Sequence, residues 1–226
     1  MFREVTPKIL LGRELNDVER RNAPKSLFIS GSMEVPLSGP RVAIVGTRRP
    51  TSQGSNIAFN LSHTLSKMGV IIVSGLARGI DTEAHKGAMS DNGGTISVLG
   101  TPLDQFYPPE NRHLQIEIKK KGLLVSQFAQ GQPIQRRNFV MRNRTMALIS
   151  DASVIVEAGD SSGTLSQGWE ALRLGRPLFI WEAVFENKEL KWPKELLNYG
   201  AIKINDYSLI FDNLPSGNKP FGVPVW

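Results

Sequence analysis

Between about residue 41 and residue 204, short continuously apolar runs alternate with stretches whose apolar residues recur every three or four positions. Few folds accept that rhythm. The runs are Arg41–Gly46, Val70–Ser74, Thr95–Gly100, Leu123–Ser126, Ser153–Ala158 and Pro177–Trp181. A strand that is apolar at every position, rather than every second one, has to be covered on both faces. Between the runs, Ile57, Leu61, Leu65 and Met68 follow one another at the spacing of a single helix face. Asp81–Asp91, with Asp81 as its N-cap, Pro109–Lys121, Phe139–Ile149 and a segment carrying Leu165, Trp169 and Leu172 read as further helices. The pattern predicts an α/β fold: a doubly wound, mostly parallel sheet of extended Rossmann-like type with helices on both faces.

The flanks read differently. Residues 1–40 form an N-terminal extension, helical over Leu10–Arg21 and with a short strand at Ser26–Ser30, joined to the sheet through the Pro/Gly-rich Pro36–Pro40. Residues 41–212 make the sheet domain, and 213–226 a proline-containing tail expected to lie extended. No apolar run reaches membrane-spanning length and no signal peptide is legible, so the expected location is the cytoplasm. The absence of cysteine excludes disulfides, thiolate zinc sites and a cysteine nucleophile.

In a doubly wound sheet, ligands bind where the strands end. The first strand is followed by Gly46-Thr47-Arg48-Arg49-Pro50-Thr51, the second by Ser74-Gly75-Leu76-Ala77-Arg78-Gly79, and the fifth by a loop containing Ser162, Gly163 and Thr164. Glycine frees the backbone for a tight turn, a helix start offers unpaired N–H groups, and arginine supplies bidentate donors, which together suit phosphate. Each loop alone also reads as an ordinary turn with solvated arginines; three at equivalent strand ends argue for a site. The net charge of +6 agrees with an anionic partner. Arg136–Arg144 adds four arginines and no acid. Arg137, Arg142 and Arg144 are placed to contact successive phosphates, and Phe139 either stacks on a base or joins the core.

Enzyme signatures are missing. There is no phosphate loop of the NTPase type, no G-x-G-x-x-G after the first strand, no H-E-x-x-H among His63, His85 and His113, and no G-x-S-x-G. No metal and no cofactor is implied.

Val45–Thr51, Ser74–His85, Val98–Asp104, Tyr107–Asn111 and Arg142-Asn143-Arg144, in that order, resemble the DNA-processing protein A (DprA/Smf) family over roughly residues 26 to 182. The resemblance implies a Rossmann-like protein that binds single-stranded DNA, helps load the RecA recombinase during natural transformation, is commonly a homodimer and has no established catalytic activity. It implies phosphate contacts from Gly46, Arg48, Gly75, Arg78, Gly79, Arg142, Asn143, Arg144, Gly163 and Thr164, with Phe139 as a base-stacking candidate. This chain departs from the family's pattern in Arg137–Met141, where a proline-containing stretch is usual, and is expected to have room for neither the N-terminal helical domain nor the winged helix of usual members in full. Two other readings remain: a sensor of small nucleotides, and a nucleoside-monophosphate phosphoribohydrolase. Against the hydrolase, Gln167 stands where such enzymes carry a glutamate, and an amide is no general base.

Overall fold

The computed structural model describes residues 2–160 and 163–214. The strands are β1 (Arg3–Val5), β2 (Leu27–Gly31), β3 (Arg41–Gly46), β4 (Ile71–Ser74), β5 (Thr95–Leu99), β6 (Leu123–Ser126), β7 (Ala152–Glu157), β8 (Leu178–Trp181) and β9 (Ile202–Ile204). They form one sheet in the order β1-β2-β6-β5-β4-β3-β7-β8-β9. From β6 across to β9 every pairing is parallel, whereas β1 and β2 add an antiparallel flank. The fold is α/β and mostly parallel, as the alternating pattern predicts.

The helices are α1 (Pro7–Leu11), α2 (Asp17–Asn22), α3 (Ser52–Lys67), α4 (Ile80–Met89), α5 (Arg112–Lys121), α6 (Arg136–Ile149), α7 (Thr164–Arg173), α8 (Trp192–Asn198) and α9 (Ser208–Asp212). None is long and apolar enough to cross a membrane. Strand residues divide strictly between the two faces. In β3, Val42 and Ile44 join the core beneath α3 and α4, while Ala43 and Val45 join the core that also holds Met146, Leu148 and Leu196. Burial on both faces is the physical reason the strands read as unbroken apolar runs.

Two expected helices differ in detail. Leu10–Arg21 is two helices, because Gly12 ends α1 at φ +67° and Asn16 opens α2 with a reciprocal cap to Glu19. The fourth long helix starts at Arg136, a turn ahead of Phe139. The chain runs outward from β3 through β4 and β5 to β6, then returns through α6 to β7 on the other side of β3. That reversal puts a topological switch point between β3 and β7. The expected extended tail falls outside the described residues from 215 onward.

Candidate nucleic-acid interface

The turn after β3 is closed by the protein's own groups. Thr47 N–H donates to the Glu157 carbonyl at 2.6 Å. Thr51 caps α3, its Oγ1 accepting from Gly54 N–H at 3.0 Å. The Glu157 carboxylate accepts from Thr51 N–H at 3.1 Å and from Thr51 Oγ1 at 2.8 Å. A carboxylate at a helix N-terminus satisfies what a phosphate would otherwise satisfy.

The loop after β4 is filled in the same way. Gly75 and Ala77 N–H groups donate to Asp81 Oδ2 at 3.1 and 3.3 Å. Asp81 is therefore the second residue of α4 and an internal anion, not the N-cap; that position belongs to Gly79. Gly79 sits at φ +75°, and a Cβ there would lie 2.4 Å from the Thr47 carbonyl oxygen, which also accepts from Ile80 N–H at 3.2 Å. The two loops interlock. Ser74, expected at the phosphate, is buried, and its Oγ donates to the Ile44 carbonyl at 2.7 Å. The expected grip through backbone N–H groups of Thr47 and Gly75 is thus taken up internally, Thr47 by the Glu157 carbonyl and Gly75 by the Asp81 carboxylate.

Helix α6 sorts its residues by face. Arg142 is 6% exposed. Its guanidinium donates to the Gly75 and Val98 carbonyls, the latter at 3.0 Å, and to Asn143 Oδ1 at 3.0 Å. Asn143 Nδ2 in turn reaches the Gly163 carbonyl at 2.9 Å and Ser166 Oγ at 2.8 Å, stitching α6 to the start of α7. Burial pushes the Asp81 carboxyl up, opposed by the Arg142 charge, and pushes the Arg142 guanidinium down, opposed by Asp81. Arg142 and Asn143 accordingly brace the site, where sequence reasoning made them phosphate ligands. Arg137 and Arg144 are exposed, lie seven residues apart on one side of α6, and line neither cavity described below. Arg137, Arg142 and Arg144 therefore do not form one row.

At the switch point a cavity of about 490 Å³ opens. Arg48, Arg49, Phe139, Arg142, Thr164 and Gln167 are in its wall. A neighbouring cavity of about 350 Å³ shares Arg48, Arg49, Phe139 and Arg142 and adds Arg78, Tyr107 and Pro108. Phe139 stands between the two, its ring 5.2 Å from Tyr107 and under the Arg48 guanidinium at 5.8 Å. Gly100 leaves room for it; a Cβ there would come within 2.6 Å of the Phe139 ring. Arg48 and Arg49 are exposed and have no carboxylate partner among the described residues. Arg78 is exposed and paired with Glu110 rather than with Asp81.

Of the third loop, Thr164 Oγ1 donates to the Gly46 carbonyl at 3.0 Å and Gly163 opens α7; Ser162 lies outside the described residues. Sequence reasoning gave Tyr107 no role. It also gave no sign that Gln167 is buried beside the cavity.

The family model of DNA recombination-mediator protein A matches residues 12–215, most of the chain. The chain belongs to that family. DNA processing protein A from Streptococcus pneumoniae superposes with a TM-score of 0.80 at 29% identity, covering 95% of this chain and 75% of that one. The family member from Helicobacter pylori, solved to describe its single-stranded DNA binding mode, gives a TM-score of 0.77 at 29% identity over 93% of this chain and 94% of that one. Protein Smf of Synechocystis is 46% identical over 140 residues, which are 62% of this chain and 35% of that protein. Across the curated relatives the match spans 35% to 68% of their length.

Proposed function

We propose that this chain binds single-stranded DNA along the two adjoining cavities, with phosphates on Arg48, Arg49 and Arg78 and bases against Phe139 and Tyr107. The observation that carries this reading is the pair of acid-free guanidiniums, Arg48 and Arg49, beside the Tyr107–Phe139 aromatic pair at the switch point. Charge interleaved with flat rings suits a flexible strand whose bases are unpaired. The exposed Arg78–Glu110 pair is weak in water and can open to a phosphate. The Helicobacter relative's single-stranded DNA mode supports the reading. In it the protein holds DNA without transforming it, acts in the cytoplasm as a homodimer, and passes the strand to a RecA-type recombinase during recombination or transformation.

The test is a titration of the full chain with a thymidine oligonucleotide, its duplex counterpart and a mononucleotide at several salt concentrations. The single strand should bind tightest. Three guanidinium–phosphate contacts give a log–log salt slope of about −2, at roughly −0.7 per phosphate. Equal or tighter binding of duplex, or a slope near zero, would overturn the proposal.

A further inference from the structure

Helix α6 buries one side in the site and leaves the other bare. Arg137, Val140, Met141 and Arg144 follow at intervals of three, one and three, so they share one face over two turns. All four are exposed, Val140 at 45% and Met141 at 38%. Further along that face Leu148 is buried, and the bare strip ends. Elsewhere on the surface Arg13, Arg20 and Arg78 each have a carboxylate. Arg137 and Arg144 have none among the described residues, and no acid occurs between Arg136 and Arg144. Two unpaired guanidiniums thus frame two uncovered aliphatic side chains. A nucleic-acid strand needs rings to stack on, and Phe139, with Tyr107 against it, lies on the opposite side of the helix. A folded partner needs about 800 Å² from each side. A strip of eight residues, at about 1.5 Å of rise each, is too short to supply that. Its size and chemistry fit a single short element with acids and aliphatics on one face.

We propose that the outer face of α6 docks one amphipathic helix of a partner protein. Two acidic residues seven positions apart meet Arg137 and Arg144, and two aliphatic residues between them meet Val140 and Met141. A helix laid against a helix repeats the same side-chain intervals, so acid-x-x-aliphatic-aliphatic-x-x-acid is the complement of Arg-x-x-Val-Met-x-x-Arg. A carboxylate matches the guanidinium fork, and Met141 is unbranched and adapts to whichever aliphatic group it meets. Val140 also stands in the wall of the larger cavity. The docked helix therefore lies at the rim of that cavity, beside a bound strand and not in its place. The surface needs nothing from the strand-binding reading, since Arg48, Arg49, Arg78 and Phe139 take no part in it.

Fluorescence anisotropy of a labelled, alanine-rich helical peptide carrying Glu-Ala-Ala-Leu-Leu-Ala-Ala-Glu, titrated with the full chain, tests this. Two control peptides replace both glutamates by glutamine or both leucines by serine. The first peptide should bind at least fivefold tighter than either control. Arg137→Ala/Arg144→Ala and Met141→Ser should each weaken it about fivefold with the melting temperature unchanged. A saturating thymidine oligonucleotide should leave the peptide in place. Three peptides that bind alike or not at all overturn the proposal, as does an affinity that neither variant alters. Displacement of the peptide by the oligonucleotide, with loss of oligonucleotide binding in the double variant, also overturns it and makes the strip part of the strand's path. If the peptide binds as expected and no oligonucleotide does, the strand-binding reading fails and this surface stands. If the oligonucleotide binds and the peptides do not, the reverse holds.

Discussion

Arg48 and Arg142 look equivalent in a sequence, and the fold gives them opposite duties. Arg142 spends its donors on the Gly75 and Val98 carbonyls and on Asn143, with the Asp81 carboxylate nearby as its counter-charge. Arg48 lies over the face of Phe139 and lines both cavities. Removing Arg142 takes the counter-charge from buried Asp81, leaving it only the Gly75 and Ala77 N–H groups, and takes a donor from the Gly75 and Val98 carbonyls; losing one charge of a buried pair costs about 3–5 kcal/mol. At about 2–4 °C per kcal/mol for a domain of this size, Arg142→Ala should lower the melting temperature by roughly 10 °C. Arg48→Ala should leave melting unchanged and weaken single-strand binding. Melting curves and titrations run on both variants decide it; an Arg142→Ala protein that melts normally yet loses DNA would make Arg142 a direct phosphate ligand after all.

Elements whose identity rests on burial were legible, and those whose identity rests on distant partners were not. The strands β3 to β8 fall within a residue or two of their apolar runs, because being covered on both faces keeps polar residues few and small, as at Ser97 and Ser153, with no alternation to blur them. β1 and β9, three residues each at the sheet's margins, are too short to show a period. The break between α1 and α2 did carry a signal, Asn16 followed three residues later by Glu19. In the site, the position of the loops was readable and their occupancy was not, since Thr51 and its Glu157 partner lie 106 residues apart. Nor could spacing bring Tyr107 to Phe139. Helix α6 shows the same limit: its basic composition suggested a continuous ladder, but a helix turns 100° per residue and puts Arg137 and Arg144 on the side away from Phe139 and Arg142. The Arg137→Ala/Arg144→Ala double variant should therefore bind a thymidine oligonucleotide within about twofold of the unaltered chain. Phe139→Ala should lose tenfold or more, as removal of a stacking ring costs about 1–3 kcal/mol per base. Competition titration of the two variants against one labelled oligonucleotide reads both; a larger loss in the double variant would place the strand along the outer face of α6.

The molecule as a whole is polarised along its strands, with the cavities at one end and a lattice of ion pairs at the other. There Glu19 of α2 is 4% exposed and accepts from Arg13 at 2.7 and 2.8 Å, from Arg176 at 2.9 Å and from Asn16 N–H at 3.0 Å. Arg176 reaches the Leu148 carbonyl at 2.7 Å, and Asp151 grips Arg41 through its backbone N–H at 2.8 Å and its guanidinium at 2.9 Å. The lattice ties α2 to the sheet, joining the first forty residues to the starts of β3 and β7. Burial alone would push the Glu19 carboxyl up, but the Arg13 and Asn16 hydrogen bonds and the Arg13 and Arg176 charges together bring it from 4.5 down to about 2. A folded-state value below the unfolded one means the contribution is complete above about pH 4.5 and is lost as pH falls towards 2. Denaturant midpoints between pH 7 and pH 2.5 should thus fall steeply through that window for the unaltered chain. Glu19→Gln should start lower at pH 7 and fall less, so that the two curves converge at the acid end. Because the lattice lies at the far end of β3 from the cavities, oligonucleotide affinity at pH 7 should be the same in both proteins. Parallel curves that never converge would show that Glu19 does not hold the N-terminal flank by its charge.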